Sequence, residues 1–126
     1  MNNDDLHLCP KYERAVELLG KRWTGLILRV LGNGPTTFTK IARTVDKLSD
    51  RVLSERLKEL EQRGVVQRRV DPTIPVKIEY SLTDKGRDLQ EVLDALQQWA
   101  DRWECAEAAR ECTEAVHETS SHASHA

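Results

Sequence analysis

The stretch from Thr37 to Gly86 limits the fold more than any other part of the chain. A short segment whose apolar residues are Phe38, Ile41 and Ala42 predicts a helix from Phe38 to about Thr44. Val45 to Leu48 reads as a turn. A longer basic segment follows, in which Leu53, Leu57 and Leu60 recur at helical spacing and form one stripe. Ser49 or a neighbour caps it, and Gly64 suits the position just past its end. Val65–Val70 and Lys77–Leu82 are β-rich. They flank Asp71-Pro72-Thr73-Ile74-Pro75-Val76, whose two prolines narrow the conformations of the loop. Thr83-Asp84 then opens another helix. Helix, turn, helix, strand, loop, strand is the order of a winged helix-turn-helix, an arrangement that sets one helix in the DNA major groove.

Charge supports that reading through its distribution. The net charge of the 126 residues is −2, which by itself argues weakly against nucleic acid. Between residues 36 and 77, however, ten basic side chains face six acidic ones, a balance of +4. The remaining nine basic and fifteen acidic residues carry −6. A basic middle with acidic flanks fits a protein that presents one face to phosphate. No apolar run approaches the roughly 18 residues of a membrane span. The Met1-Asn2-Asn3-Asp4-Asp5 start is acidic and does not resemble a secretion signal, so a cytoplasmic location is expected.

Upstream of the central stretch, Pro10 suits the first turn of a helix running to about Leu19, with Tyr12, Ala15, Val16 and Leu19 on one face. Trp23–Leu31 predicts a second helix whose core residues are Leu26, Ile27, Val30 and Leu31, closed by Gly32-Asn33-Gly34-Pro35. Downstream, Leu89, Val92, Leu93, Leu96, Trp99, Ala100 and Trp103 share one face of a long helix. That stripe is wider and more aromatic than one small domain needs, which points to a dimer interface that includes Leu96, Trp99 and Trp103, with Tyr12 from the first helix. Residues 1–112 are expected to form a single domain and 113–126 a flexible tail. The fold class expected is mainly α with a small antiparallel β-wing.

Helical geometry puts Arg51, Ser54, Glu55 and Lys58 opposite the leucine stripe. Arg can pair with guanine through two hydrogen bonds, and Ser can meet several base edges. Arg51 reads either a base or the backbone, since half or more of such contacts go to phosphate. Arg56 lies beside the buried stripe and is expected to serve as an ion-pair or phosphate partner. Lys40, Arg43, Arg68, Arg69 and Lys77 are candidate phosphate contacts, and Ser49 completes the DNA-binding set. Each of these is also consistent with plain surface charge.

The three cysteines are Cys9, Cys105 and Cys112, and an odd count suggests no structural disulfide framework. Cys9 stands at an N-cap position before Pro10. The positive helix end favours thiolate, the reactive form, and Lys11 and Arg14 are near. The alternative is a half-buried residue at the dimer interface. Cys105 and Cys112 are seven apart. On one helix they share a face but lie about 10.5 Å apart along the axis, too far to pair with each other. Either could pair with Cys9 of a second subunit, or be inert. A set made of His7, Cys9, Cys105 and Cys112 matches no compact zinc spacing, and the His117, His122 and His125 tail is polar; no metal or cofactor is expected.

Three segments resemble the HxlR family of bacterial transcription regulators, within the MarR-like winged-helix group. CPKYERAVELLGKRWTGLIL, from Cys9 to Leu28, looks like the family's opening. LSERLKELEQRGVV is similar to its recognition helix, and PVKIEYSLTDKG to its second wing strand and the start of its final helix. The resemblance covers roughly Cys9 to Trp103. It implies a homodimer held by helices from both ends of the chain, bound to a two-fold-related duplex operator. It also implies kinship with members that sense oxidants and electrophiles through a cysteine at the start of the first helix.

The leading expectation is therefore a thiol-responsive repressor with Cys9, Cys105 and Cys112 as the redox-sensing set. The alternatives are a winged-helix regulator controlled by a small aromatic ligand held near Trp23, Trp99 or Trp103, and a protein-interaction module. No catalytic triad, carboxylate pair, phosphate loop or metal motif suggests an enzyme.

Overall fold

The computed structural model describes residues 9–104. Cys105, Cys112, His7, the three tail histidines and the expected tail 113–126 lie outside them. Five helices and two strands are described: α1 (Pro10–Leu19), α2 (Thr24–Leu31), α3 (Phe38–Thr44), α4 (Asp50–Gln62), β1 (Val66–Asp71), β2 (Lys77–Leu82) and α5 (Asp84–Trp103). The chain divides into two compact units, one ending at Gln90 and the other beginning at Glu91, so the first turns of α5 belong to the first unit.

The first unit is built on Ile27, Leu28, Leu31, Ile41, Leu53, Leu57, Leu60 and Val65, all nearly free of solvent contact. Burying each such side chain is worth roughly 1.5–3 kcal/mol, and this outweighs the weak helix propensity of a seven-residue α3. In α2 the buried positions are Thr24, Ile27, Leu28 and Leu31. Leu26, expected in the core, is exposed, and Val30 is only half-buried. Thr24, Ile27, Leu28 and Leu31 follow the i, i+3, i+4, i+7 spacing of one helix face, and Leu26 lies off it. Trp23 does not join the helix but caps it at a left-handed φ of 80°, with the Arg22 guanidinium 4.6 Å from its ring centre. In α1 the buried residue is Leu18, while Tyr12, Ala15 and Val16 face solvent. Apolar spacing identified a stripe there, but the side its own chain covers is the neighbouring one.

The sheet is antiparallel, with Val66 opposite Leu82, Arg68 opposite Tyr80 and Arg69 opposite Glu79. β1 begins at Val66, one residue later than expected: the Val65 carbonyl still accepts from the Thr83 N–H across the sheet at 3.0 Å, but the Val65 N–H is turned back to the Leu60 carbonyl at the end of α4. Thr36 adds a single bridge to Tyr80, with N–H···O bonds of 2.9 and 2.7 Å in the two directions. That bridge pins the α2–α3 connection to the wing.

The end of α4 is closed by two bonds. The Gly64 N–H reaches the Glu61 carbonyl at 3.0 Å, and the Val65 N–H reaches the Leu60 carbonyl at 2.9 Å. Gly64 has a φ of +75°, the left-handed conformation this Schellman closure requires. The carbonyls left over meet the start of α5. The Thr83 hydroxyl lies 2.5 Å from the Gly64 carbonyl oxygen and accepts from the Gly86 N–H at 3.2 Å, while Lys85 Nζ donates to the Arg63 carbonyl at 2.6 Å.

Candidate nucleic-acid interface

Both helices of the helix-turn-helix start with a side-chain cap. Thr37 Oγ1 accepts from the Lys40 N–H at 3.3 Å, and Ser49 Oγ from the Val52 N–H at 3.1 Å. Such caps are worth about 0.5–2 kcal/mol each. Between them, Val45 and Leu48 are buried and hold the turn to the core, while Lys47 takes a left-handed φ of 66°. Ser49 is exposed. Its oxygen is committed to the cap and its hydroxyl hydrogen can still be donated.

Along α4 the leucine stripe Leu53, Leu57 and Leu60 is buried, and Arg51, Ser54, Glu55 and Lys58 are exposed on the other side. The side chain of Arg51 is 87% exposed, and its Nε lies 3.4 Å from Glu55 Oε2. Asp50 in the first turn complements the positive helix end. Lys40 and Arg43 of α3 are also exposed.

The back of α4 is tied to the N-terminal part of the chain by three polar contacts. Arg56 Nε donates to the Arg22 carbonyl at 2.9 Å, and Lys21 Nζ meets Glu59 Oε2 at 2.8 Å. Arg63 Nη2 donates to the Arg14 carbonyl at 3.1 Å. Arg56 thus holds a backbone carbonyl, consistent with its place beside the stripe. These ties span 34 to 49 residues, and nothing in the local pattern announces them. The Arg51–Glu55 pair, by contrast, is a simple i, i+4 spacing that charge patterning can find.

In the wing, antiparallel pairing puts opposing residues on the same face and successive residues on opposite faces. Arg69, Glu79, Asp71 and Lys77 therefore share one face, and Arg68 lies on the other with Tyr80. Lys77 pairs with Glu79 at 3.6 Å. Asp71 Oδ1 accepts the Thr73 N–H at 3.1 Å, closing the start of the loop. That bond, with help from the Thr73 side chain and Lys77, holds the Asp71 carboxyl below its ordinary 3.8. A shallow groove of about 290 Å³ between the sheet and the α2–α3 connection is lined by Gly34, Gln67, Arg69, Glu79 and Arg87 among others.

Cys9 is a free, exposed thiol at the N-cap of α1, and its side chain makes no capping hydrogen bond. Pro10 occupies the first turn and the Glu13 N–H bonds the Cys9 carbonyl at 3.0 Å. In the second unit, Leu93 is buried and Val92, Leu96, Trp99 and Trp103 are exposed in one stripe along α5. Tyr12 and Val16 form a smaller exposed apolar pair on α1. No group of His, Cys, Asp and Glu with the makings of a metal site occurs among the described residues. No helix among them is long and apolar enough to cross a membrane.

The profile of the HxlR-like helix-turn-helix family matches residues 18–108. The HTH-type transcriptional regulator YodB of Bacillus subtilis (strain 168) is 52% identical over 96 residues, which is 76% of this chain and 86% of YodB. The quinone-bound crystal structure of YodB superposes with a TM-score of 0.68 at 48% identity, covering 76% of this chain and all of that one. The redox regulator HypR in its reduced form superposes with a TM-score of 0.72 at 28% identity, covering 79% and 98% of the two chains.

Proposed function

This chain belongs to the HxlR-like helix-turn-helix family of transcriptional regulators, and from that premise we propose that it is a dimeric repressor released from its operator when Cys9 is modified. The observation that carries the reading is the placement of Cys9: exposed, at the N-terminus of α1, its sulfur unengaged. A regulator that answers quinones and oxidants needs such a thiol. The quinone-bound form of YodB supports extending that chemistry to this relative.

With a quinone, the Cys9 sulfur adds to a ring carbon. A C–S bond forms, the ring hydrogen and the thiol proton end on the two oxygens, and the adduct is a hydroquinone thioether. With hypochlorite, the sulfur is oxidised to sulfenic acid and chloride leaves. Either change adds bulk or polarity at the end of α1. Tyr12 and Val16 on that helix form one apolar surface that we assign to the second subunit, and the Val92–Trp103 stripe on α5 forms another. A dimer presents two α4 helices, so its half-sites lie about one helical turn, or a multiple, apart.

The test begins by selecting binding sites from a random duplex pool. Benzoquinone should weaken wild-type binding to the selected site about tenfold, a change of about 1.4 kcal/mol. It should leave Cys9→Ser unaffected. Transcription from a promoter overlapping the site should fall with protein and recover with quinone. A Cys9→Ser protein that responds like wild type would remove Cys9 as the sensor. A footprint on one half-site only would remove the dimer.

A further inference from the structure

The acidic residue in the middle of the DNA-facing side of α4 is the feature the reading above leaves unused. We infer that Glu55 is a specificity-determining residue, acting through Arg51. This rests on the assignment of α4 as the helix that reads DNA.

Arg51 and Glu55 are one turn apart, both exposed, and joined through Arg51 Nε at 3.4 Å. The Nη1 and Nη2 ends of the guanidinium have no partner among the described residues. Those two ends are the ones that meet guanine O6 and N7 together in an end-on bidentate contact. A bond at Nε therefore orients the fork without consuming it. The carboxylate has a second effect. Phosphate oxygens approaching the same spot meet a negative charge, whereas the guanine edge offers Arg51 two acceptors in a plane it can match. An exposed pair of this kind contributes little to stability, so its value lies in discrimination. Specificity is commonly obtained by adding a repulsive element against the wrong partner, and random-sequence DNA offers chiefly phosphate.

The experiment compares wild type, Glu55→Gln, Glu55→Ala, Arg51→Ala and the Arg51→Ala/Glu55→Gln double variant. Affinities are read by fluorescence anisotropy on the selected site and on a random duplex of equal length. Gln keeps an oxygen that can accept from Nε but loses the charge. Both Glu55 variants should bind random duplex about threefold or more tightly and lose about tenfold in the ratio of selected to random affinity. In the Arg51→Ala background, Glu55→Gln should leave the ratio unchanged. The inference is overturned if Glu55→Gln keeps the wild-type ratio. It is also overturned if the ratio falls equally with and without Arg51, which would mean that Glu55 meets a base itself. A wild-type protein that selects no sequence at all removes the DNA-reading assignment and this inference together. Selection by wild type that survives unchanged in Glu55→Gln removes the inference alone.

Discussion

Gly86 packs so closely on the carbonyl of Val65 that a β-carbon at position 86 would overlap the carbonyl oxygen. This is backbone against side chain, so no rotamer change relieves it. Gly86→Ala should therefore cost about 1–3 kcal/mol, the usual range for overpacking. Thermal unfolding followed by circular dichroism is the check, and an unchanged midpoint would mean α5 can shift away from Val65 freely. Thr83→Val should add a similar loss of about 1 kcal/mol, since the hydroxyl both caps α5 and lies within reach of the Gly64 carbonyl.

Arg51 and Arg56 should separate in their effects on binding. Arg51→Ala removes an exposed side chain from the side of α4 opposite the leucine stripe, the side proposed to face DNA. It should reduce discrimination between selected and random duplex by about 1–3 kcal/mol, with little change in stability. Arg56→Met removes the donor to the Arg22 carbonyl. It should lower stability by about 1.5–3 kcal/mol and weaken both duplexes alike. Equal losses on both duplexes for Arg51→Ala would make it a phosphate contact.

Trp99 and Trp103 are 52% and 63% exposed, and the dimer proposal has them covered by a second copy. Truncating a buried aromatic costs about 3–5 kcal/mol. Trp99→Asp should give a monomer by sedimentation at micromolar concentration, or insoluble protein. A stable dimer with unchanged DNA affinity would place the interface elsewhere.

The wing should respond to pH through Asp71. Asp71 is held below its ordinary 3.8 by the Thr73 N–H. A depressed carboxylate contributes to order above its ordinary value and loses that contribution as pH falls through the lower folded one. The Thr73 amide resonance should shift with a midpoint below 3.8, and Asp71→Asn should abolish that transition. A midpoint at or above 3.8 would count against the bond.

Much of the fold was legible because it rests on local chemistry. Pro10, Ser49 and Gly64 mark helix ends, and Leu53, Leu57 and Leu60 mark a stripe, within a few residues of where they act. The outward set Arg51, Ser54, Glu55 and Lys58 follows from the same periodicity. Leu26, expected in the core, is exposed, and the buried residue of α1 is Leu18 rather than one of the face Tyr12, Ala15, Val16 and Leu19, because spacing gives an apolar face but not which edge of it the rest of the chain covers. The left-handed Trp23 and Lys47 carry no glycine or asparagine to signal them. The ties from Arg14, Lys21 and Arg22 to α4 join distant residues, and no local rule reaches that far.

Those ties have a consequence for how a sequence is read. Apolar contact is non-directional, so a leucine stripe alone lets a helix roll slightly in its seat. Hydrogen bonds at Arg56, Glu59 and Arg63 do not, because each fixes a direction. They set the angular phase of α4 about its own axis, and one residue corresponds to about 100° of that rotation. With α4 as the helix proposed to read DNA, which side chain would meet which base is decided in part by Arg56, Glu59 and Arg63 on the far side of the helix, none of which need touch the duplex.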